Sequence, residues 1–436
     1  MIWGFIYFIK AHPTLTCTLF ISFIWLFLLM FYKPRGNNYA IATFSIAYFL
    51  TIIHRLNRGP LPSDITYMFA NWLINFRGGF IRRGLGGEIV LWFSDLFNTK
   101  SLIIVYAIST FMYLLLISFF IIQFMRKKYP LFILMSPFFL GQTIIIDPSQ
   151  WLRKDSLCLL TFIILLYIFK KFQTSLRSLF LLNIFFICGI LIHEVVFFFA
   201  FPILFISVRQ KNRSSFQTFL FFLPSIITFV LCFIISKHAD INKMINLTSE
   251  IIDHGNLQHL QMNITMYFDR FQGKINNPGI LFHLTYLCVI IAAIFVVCVK
   301  FTKISITKES STINEQILSQ ILLFQLLSTS PLFCIGWDWG RWIFLWIASS
   351  FAYFLIVDEN PFQKNFFSCL NIEKSNLFKC LDKKPNIVFV IAILINCQFM
   401  LPYEIDFLSN TPAYLVFSEL SLIIMLVKDH LIAFLH

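Results

Sequence analysis

Charge is the scarcest commodity in this sequence. Charged residues make up 13% of the 436 positions, whereas a soluble globular domain carries about 25%. Mean hydropathy is +0.79, which excludes an ordinary water-soluble globule. Ten cysteines are scattered, mostly within apolar runs, and no C-x-x-C occurs. Structural zinc and a disulfide framework are therefore not expected, and buried packing is. No nucleotide-binding motif, internal repeat, low-complexity tract or separate soluble domain stands out. No small-residue cleavage site follows Met1–Lys10, so no removable signal peptide is expected.

What is present is apolar surface in long runs. Hydrophobic residues make up 58% of the chain, with 56 phenylalanines; the Phe, Ile and Lys bias points to an AT-rich bacterial gene. The runs lack strict alternation, and backbone groups in lipid must be satisfied internally, which favours helices over a barrel. The expected class is all-α. The whole chain reads as one integral membrane domain of about 13 transmembrane or re-entrant helices. They are placed near 14–32, 39–53, 100–124, 131–146, 156–170, 178–192, 195–208, 217–236, 279–300, 316–336, 343–357, 386–402 and 413–427. Two long segments, 54–99 and 237–278, lie outside the spans, the first with amphipathic stretches at 65–76 and 88–96 suited to the membrane interface.

The net charge of +13 would suggest nucleic acid in a soluble protein. Here Lys and Arg sit in short clusters between apolar runs, so the charge reads as topology and no nucleic-acid partner is expected. Placing Lys33/Arg35, Arg126–Lys128, Lys170/Lys171/Arg177, Arg209/Lys211/Arg213, Lys300–Lys308, Lys364–Lys384 and Lys428 on the cytoplasmic side gives that side 20 basic residues against seven acids. One link decides this topology. Residues 178–208 as a single helix would be about 46 Å long, too long for a core of about 30 Å. Split at His193-Glu194, they become two short helices that dip and return, and every basic cluster stays on one side. The opposite face then receives 54–99, Asp147–Asp155, His193-Glu194, 237–278, Gly336–Trp342 and Glu404/Asp406.

Four polar strings on that face carry chemistry. In Asn75–Glu88, five glycines surround Arg77, Arg82 and Arg83. Glycine lets backbone N–H groups approach an anion, and guanidinium forks suit phosphate; a flexible turn with snorkelling arginines is the alternative. In Asp147–Asp155, Arg153 and Lys154 run against the positive-inside rule. They call for a partner, either Asp147 or Asp155 or an anionic ligand. His193-Glu194 puts a carboxylate beside long apolar runs. Buried without a cationic partner, it would titrate high enough to act as a general base, while His193 hydrogen-bonds its neighbour. In Gly336–Trp342, Asp338 and Arg341 sit at helical pairing distance, and Trp337, Trp339 and Trp342 form either an interfacial belt or a platform for sugar rings. Asp64, after Pro60 and Pro62, is either catalytic or a helix N-cap. The acids and histidines of 237–278 match no metal spacing.

The strings R-R-G-L-G-G-E, W-L-R-K-D, H-E and D-W-G-R-W, set in ten or more spans with two long outer loops, resemble those of bacterial envelope-polysaccharide enzymes. These are lipid-linked glycosyltransferases of the GT-C type and O-antigen or capsule polymerases. The resemblance implies a GT-C-like inner-membrane enzyme with a periplasmic active face, polymerising repeat units carried on undecaprenyl phosphate or diphosphate. It implies no cofactor, and a chain-length regulator or other envelope assembly protein as partner. On this reading Glu194, ahead of Asp338 and Asp64, is the catalytic base. Arg77, Arg82, Arg83, Arg153, Lys154 and Arg341 hold the lipid phosphate, while His193, Trp337, Trp339, Trp342 and Asp147 meet sugar. An O-antigen side-branch glucosyltransferase and a flippase for lipid-linked oligosaccharide are the alternatives.

Overall fold

The computed structural model describes residues 69–127, 152–172, 176–210, 214–246, 311–335 and 339–357, with isolated residues between 129 and 139, between 287 and 299, and at 362. All regular structure among them is helical. In chain order the helices are α1 (Gly84–Phe97), α2 (Ser101–Arg126), α3 (Asp155–Phe172), α4 (Leu176–Ile192), α5 (Val195–Gln210), α6 (Ser215–Ile234), the short α7 (Ile241–Asn246), α8 (Ser311–Ile335) and α9 (Trp339–Ile356). Four stretches, Ser101–Arg126, Ser215–Ile234, Ile317–Cys334 and Trp339–Ile356, are long and apolar enough to cross a membrane. Phe180–Ile192 and Val195–Gln210 are shorter apolar helices. The chain is thus a helical membrane protein in its described part. The expected spans at 14–32, 39–53, 386–402 and 413–427 lie outside the described residues, as does most of 131–146 and of 279–300.

The bundle is organised around α9, whose every residue is buried. A helix apolar all round has no face to offer water or lipid and belongs in a core. Helices α8, α3, α5 and α2 pack against it. Interhelical polar contacts fix its register: the Trp346 indole N–H donates to the Leu322 carbonyl at 2.7 Å, and Tyr353 and Ser207 share a hydroxyl hydrogen bond of 2.8 Å. The outer helices α2 and α6 turn Ile103, Phe111, Leu114, Phe216, Phe219 and Ile227 outward. Large apolar side chains exposed along a span face lipid rather than water.

The chain reverses at His193-Glu194. Phe186 of α4 stacks on Phe197 of α5 with centroids 6.0 Å apart, whereas eleven residues along one continuous helix would separate them by roughly 16 Å. The expected split of 178–208 is therefore present. It sets the polarity of the bundle: α3, α5 and α9 begin at one end, where α4 and α6 finish. At the opposite end the Gln123 amide donates to Tyr167 at 3.0 Å, and Lys170 donates to the Ile356 carbonyl at 2.7 Å. That lysine meets the negative end of α9, where a cation is favoured. Arg126, Lys170, Lys171 and Arg209 lie in the last turns of their helices, so the basic ends of α2, α3 and α5 gather away from His193-Glu194.

Segment 69–83 departs from one expectation. The stretch around 65–76 was expected to lie along the interface, but Phe69, Ala70, Trp72, Leu73 and Ile74 are buried in a small core with Val90, Leu91, Ile104 and Leu152. Helix α1 does present an apolar stripe outward, with Trp92, Leu96 and Phe97 exposed.

Candidate functional site

Two glycines show how the chain ahead of α1 is packed. A Cβ on Gly87 would lie 1.9 Å from the Ile74 carbonyl oxygen, and one on Gly78 would lie 2.2 Å from that of Asp240. These glycines permit backbone to pack on backbone, which corrects the reading of the glycine cluster as an anion cradle at these positions. The Phe76 N–H donates to the Glu88 carboxylate at 2.7 Å, so the turn is tied to the first helical turns that follow it. The Asp240 N–H donates to Gly78 O at 2.9 Å, and the Arg82 N–H donates to the Ser236 hydroxyl at 2.7 Å. The stretches 76–83 and 236–240 therefore meet, and they aim Arg82 and Arg83 into the bundle.

The Arg83 guanidinium grips Glu194. Its Nε donates to Oε1 at 3.0 Å and to Oε2 at 2.8 Å, and its terminal nitrogen adds a further contact to Oε1. Arg82 stands 3.8 Å from the same carboxylate and lies over the Phe233 ring. Arg341, in the first turn of α9, forks onto Asp155, with Nε 2.9 and 2.7 Å from the two oxygens and the terminal nitrogen 2.7 Å from Oδ1. Bidentate guanidinium–carboxylate pairs are the strongest ionic contacts available to side chains. Their burial makes them costly to break rather than simply stabilising.

His193 joins the two pairs. Its Nε2 is 3.0 Å from the Arg341 terminal nitrogen, and its Nδ1 is 3.4 Å from Glu194 Oε2. A guanidinium only donates, so Nε2 accepts and the ring proton sits on Nδ1, facing the carboxylate. The Val195 N–H also points at Nδ1 from 3.2 Å. One tautomer cannot serve both contacts, and the charged donor outweighs the neutral one. Burial, then the Arg83 charge, hold His193 well below the usual histidine range, so it is neutral. For Glu194, burial alone would raise the carboxyl, but Arg83 and Arg82 outweigh it and hold it well below the carboxylate range. The premise of an unpartnered, high-titrating base is thus not met in this state.

Lys154 precedes α3 and is buried. Its ammonium donates to the Arg83 carbonyl at 3.2 Å and lies 5.5 Å from the Trp72 ring centroid. Burial and the Arg83 charge push it down to about 7. Arg153 is buried in the same turn. Asp155 was one expected partner for Arg153 and Lys154; its carboxylate is taken by Arg341.

The structure brings together Arg82, Arg83, Lys154, His193, Glu194 and Arg341 from four separated stretches. It leaves Arg77 apart, outward and 3.4 Å from exposed Asp95. Trp339 corrects the aromatic reading: it is fully buried and its indole N–H donates to the Phe333 carbonyl at 3.1 Å, so it is neither an interfacial belt nor a surface for sugar. Trp342 is likewise buried, packed against the Arg341 guanidinium at 4.9 Å. Asp64, Asp147, Trp337 and Asp338 lie outside the described residues. Sequence reasoning passed over Ser236 and Trp72. Neither breaks an apolar pattern, so no local signal marks them. Among the described residues no three His, Cys, Asp or Glu side chains are grouped to hold a metal ion.

No family model, curated protein or solved structure matches the chain.

Proposed function

We propose that the chain is an inner-membrane glycosyltransferase of bacterial envelope-polysaccharide assembly. It takes sugars carried on undecaprenyl phosphate or diphosphate at the periplasmic face and polymerises O-antigen or capsule repeat units, on a GT-C-like frame of about thirteen spans. The observation that supports this is the convergence of four cations at one end of the bundle, buried Arg82, Lys154 and Arg341 and half-buried Arg83, from three separate stretches of the chain. Glycosyl transfer from a lipid phosphate breaks the bond between the anomeric carbon and the phosphate oxygen. Negative charge then develops on the departing phosphate, and preorganised donors are worth most at that point. Guanidinium forks supply them without a nucleotide site.

The acceptor hydroxyl forms the new glycosidic bond and gives its proton to a carboxylate. Glu194 serves when the ligand's phosphate takes over the Arg83 fork, because loss of that partner restores its affinity for a proton. Asp338 and Asp64 are the other carboxylates for this role. His193 and Asp155 hold Glu194 and Arg341 in place. A chain-length regulator is the expected protein partner.

Glu194→Ala in the native host tests the assignment. Loss of long-chain polysaccharide, with the protein still present in the membrane and single repeat units accumulating, is expected. Normal chain length in that strain would sink it. A full ladder of altered serotype would move the enzyme to side-branch transfer.

A further inference from the structure

Lys154 stands where its own charge is least welcome. It occupies the turn from which α3 starts, with its carbonyl accepting the Cys158 N–H at 2.9 Å. Its ammonium also lies over the first turn of α1, where a Cβ on Gly86 would come within 3.1 Å of Nζ. Both places are positive ends of helices. Among the described residues the groups facing it are the Arg83 guanidinium from the segment before α1, Glu194 and neutral His193 from the α4–α5 turn, the Cys158 thiol one turn along α3, and the Trp72 ring. Glu194, the one carboxylate among these, is engaged by Arg83. Among the described residues the ammonium has no carboxylate within ion-pair distance, and it donates to a single carbonyl, that of Arg83. An ammonium has three donors to place. A buried cation set against like charge is stable only once an anion joins it.

We propose that Lys154 is the residue that seats the ligand's phosphate, and that it takes up a proton as the phosphate arrives. This rests on the phosphate-bearing ligand argued above. The amine lone pair takes a proton from bulk buffer, no other bond changes, and the ammonium then pairs with a phosphate oxygen at the first turn of α1. A guanidinium keeps its charge throughout the working pH range, so Lys154 is the cation of this group that couples binding to proton uptake.

The test is calorimetric titration of the full chain in nanodiscs with two probes, undecaprenyl diphosphate and inorganic pyrophosphate. Buffers of different ionisation heat at about pH 8 report the protons taken up per ligand bound. The wild type should take up close to one proton with the lipid probe. Lys154→Arg should bind without uptake, since guanidinium stays charged, and Lys154→Met should bind at least about tenfold more weakly. Binding by wild type with no proton uptake, or Lys154→Met binding as tightly as wild type, would overturn the role of Lys154 alone. No binding of either probe by wild type would overturn the phosphate site and Lys154 with it. Equal binding of pyrophosphate with proton uptake would keep Lys154 and assign the site to a soluble anion.

Discussion

Arg83 and Glu194 lie 111 residues apart in the chain, yet Nε of the one is within 3.0 Å of both carboxylate oxygens of the other. The pair joins the long segment ahead of α1 to the turn between α4 and α5, so it closes the site as well as charging it.

Removing one partner of such a pair leaves a buried charge without its counter-ion, at a cost of roughly 3–5 kcal/mol. Glu194→Ala should therefore lower the thermal midpoint of the detergent-solubilised protein. The double variant Arg83→Ala/Glu194→Ala should lose less than the two single losses added together. Intrinsic tryptophan fluorescence during heating reads all three. Additive losses would mean that the two side chains do not depend on each other.

Arg341→Lys tests geometry at constant charge. A lysine keeps the positive charge but cannot reproduce the fork onto Asp155 while also donating to His193 Nε2. Polysaccharide chain length should collapse in the native host while membrane levels of the protein stay near normal. Full chain length in this variant would show that charge alone suffices at the head of α9.

The polar strings were legible in the sequence because each interrupts an apolar run. Lipid drives such interruptions to helix ends, which is why Arg82-Arg83, Arg153-Lys154, His193-Glu194 and Arg341 share one end of the bundle. Which cation meets which acid was not legible. Helical spacing draws attention to Asp338, three positions before Arg341, and holds no trace of the fork that Arg341 makes onto Asp155, 186 residues away. Burial of Trp339 was equally hidden, since an aromatic near a span end reads the same whether it meets lipid, sugar or the next helix. In each case the tertiary neighbour decides, and spacing carries no record of it.

The pH dependence follows from His193. Its native state is held well below the usual histidine range, first by burial and then by Arg83. As pH falls below about 6.5 the unfolded chain takes up a proton that the native site refuses, which costs up to about 1.4 kcal/mol per pH unit. Stability should therefore fall on acidification from neutrality. In His193→Asn the thermal midpoint should fall less steeply between about pH 7 and pH 5. Parallel slopes for the two proteins would place the titrating group elsewhere.

The two ends of the bundle should face opposite sides of the membrane. Asp240, at the site end, and Gln210, at the end of α5, are both exposed. In a background with the native cysteines replaced, a membrane-impermeant maleimide added to the periplasm should label Asp240→Cys and spare Gln210→Cys. Labelling of both from the same side would remove the one-sided site, because α5 would not then cross the bilayer.

Gly86 and Gly87 are neighbours with opposite expectations. A methyl group on Gly87 meets the Ile74 carbonyl at 1.9 Å, and backbone held by its own packing cannot retreat that far. Gly87→Ala should destabilise by at least the roughly 1–3 kcal/mol typical of overpacking. On Gly86 the methyl group meets the tip of the Lys154 side chain, with Nζ at 3.1 Å and Cε at 3.2 Å. That tip is flexible, and alanine gains up to about 1 kcal/mol over glycine within a helix. Gly86→Ala should keep or raise the thermal midpoint while weakening undecaprenyl diphosphate binding, because the methyl group pushes the Lys154 tip aside. If Gly86→Ala binds the lipid probe as the wild type does, the phosphate does not sit against the first turn of α1.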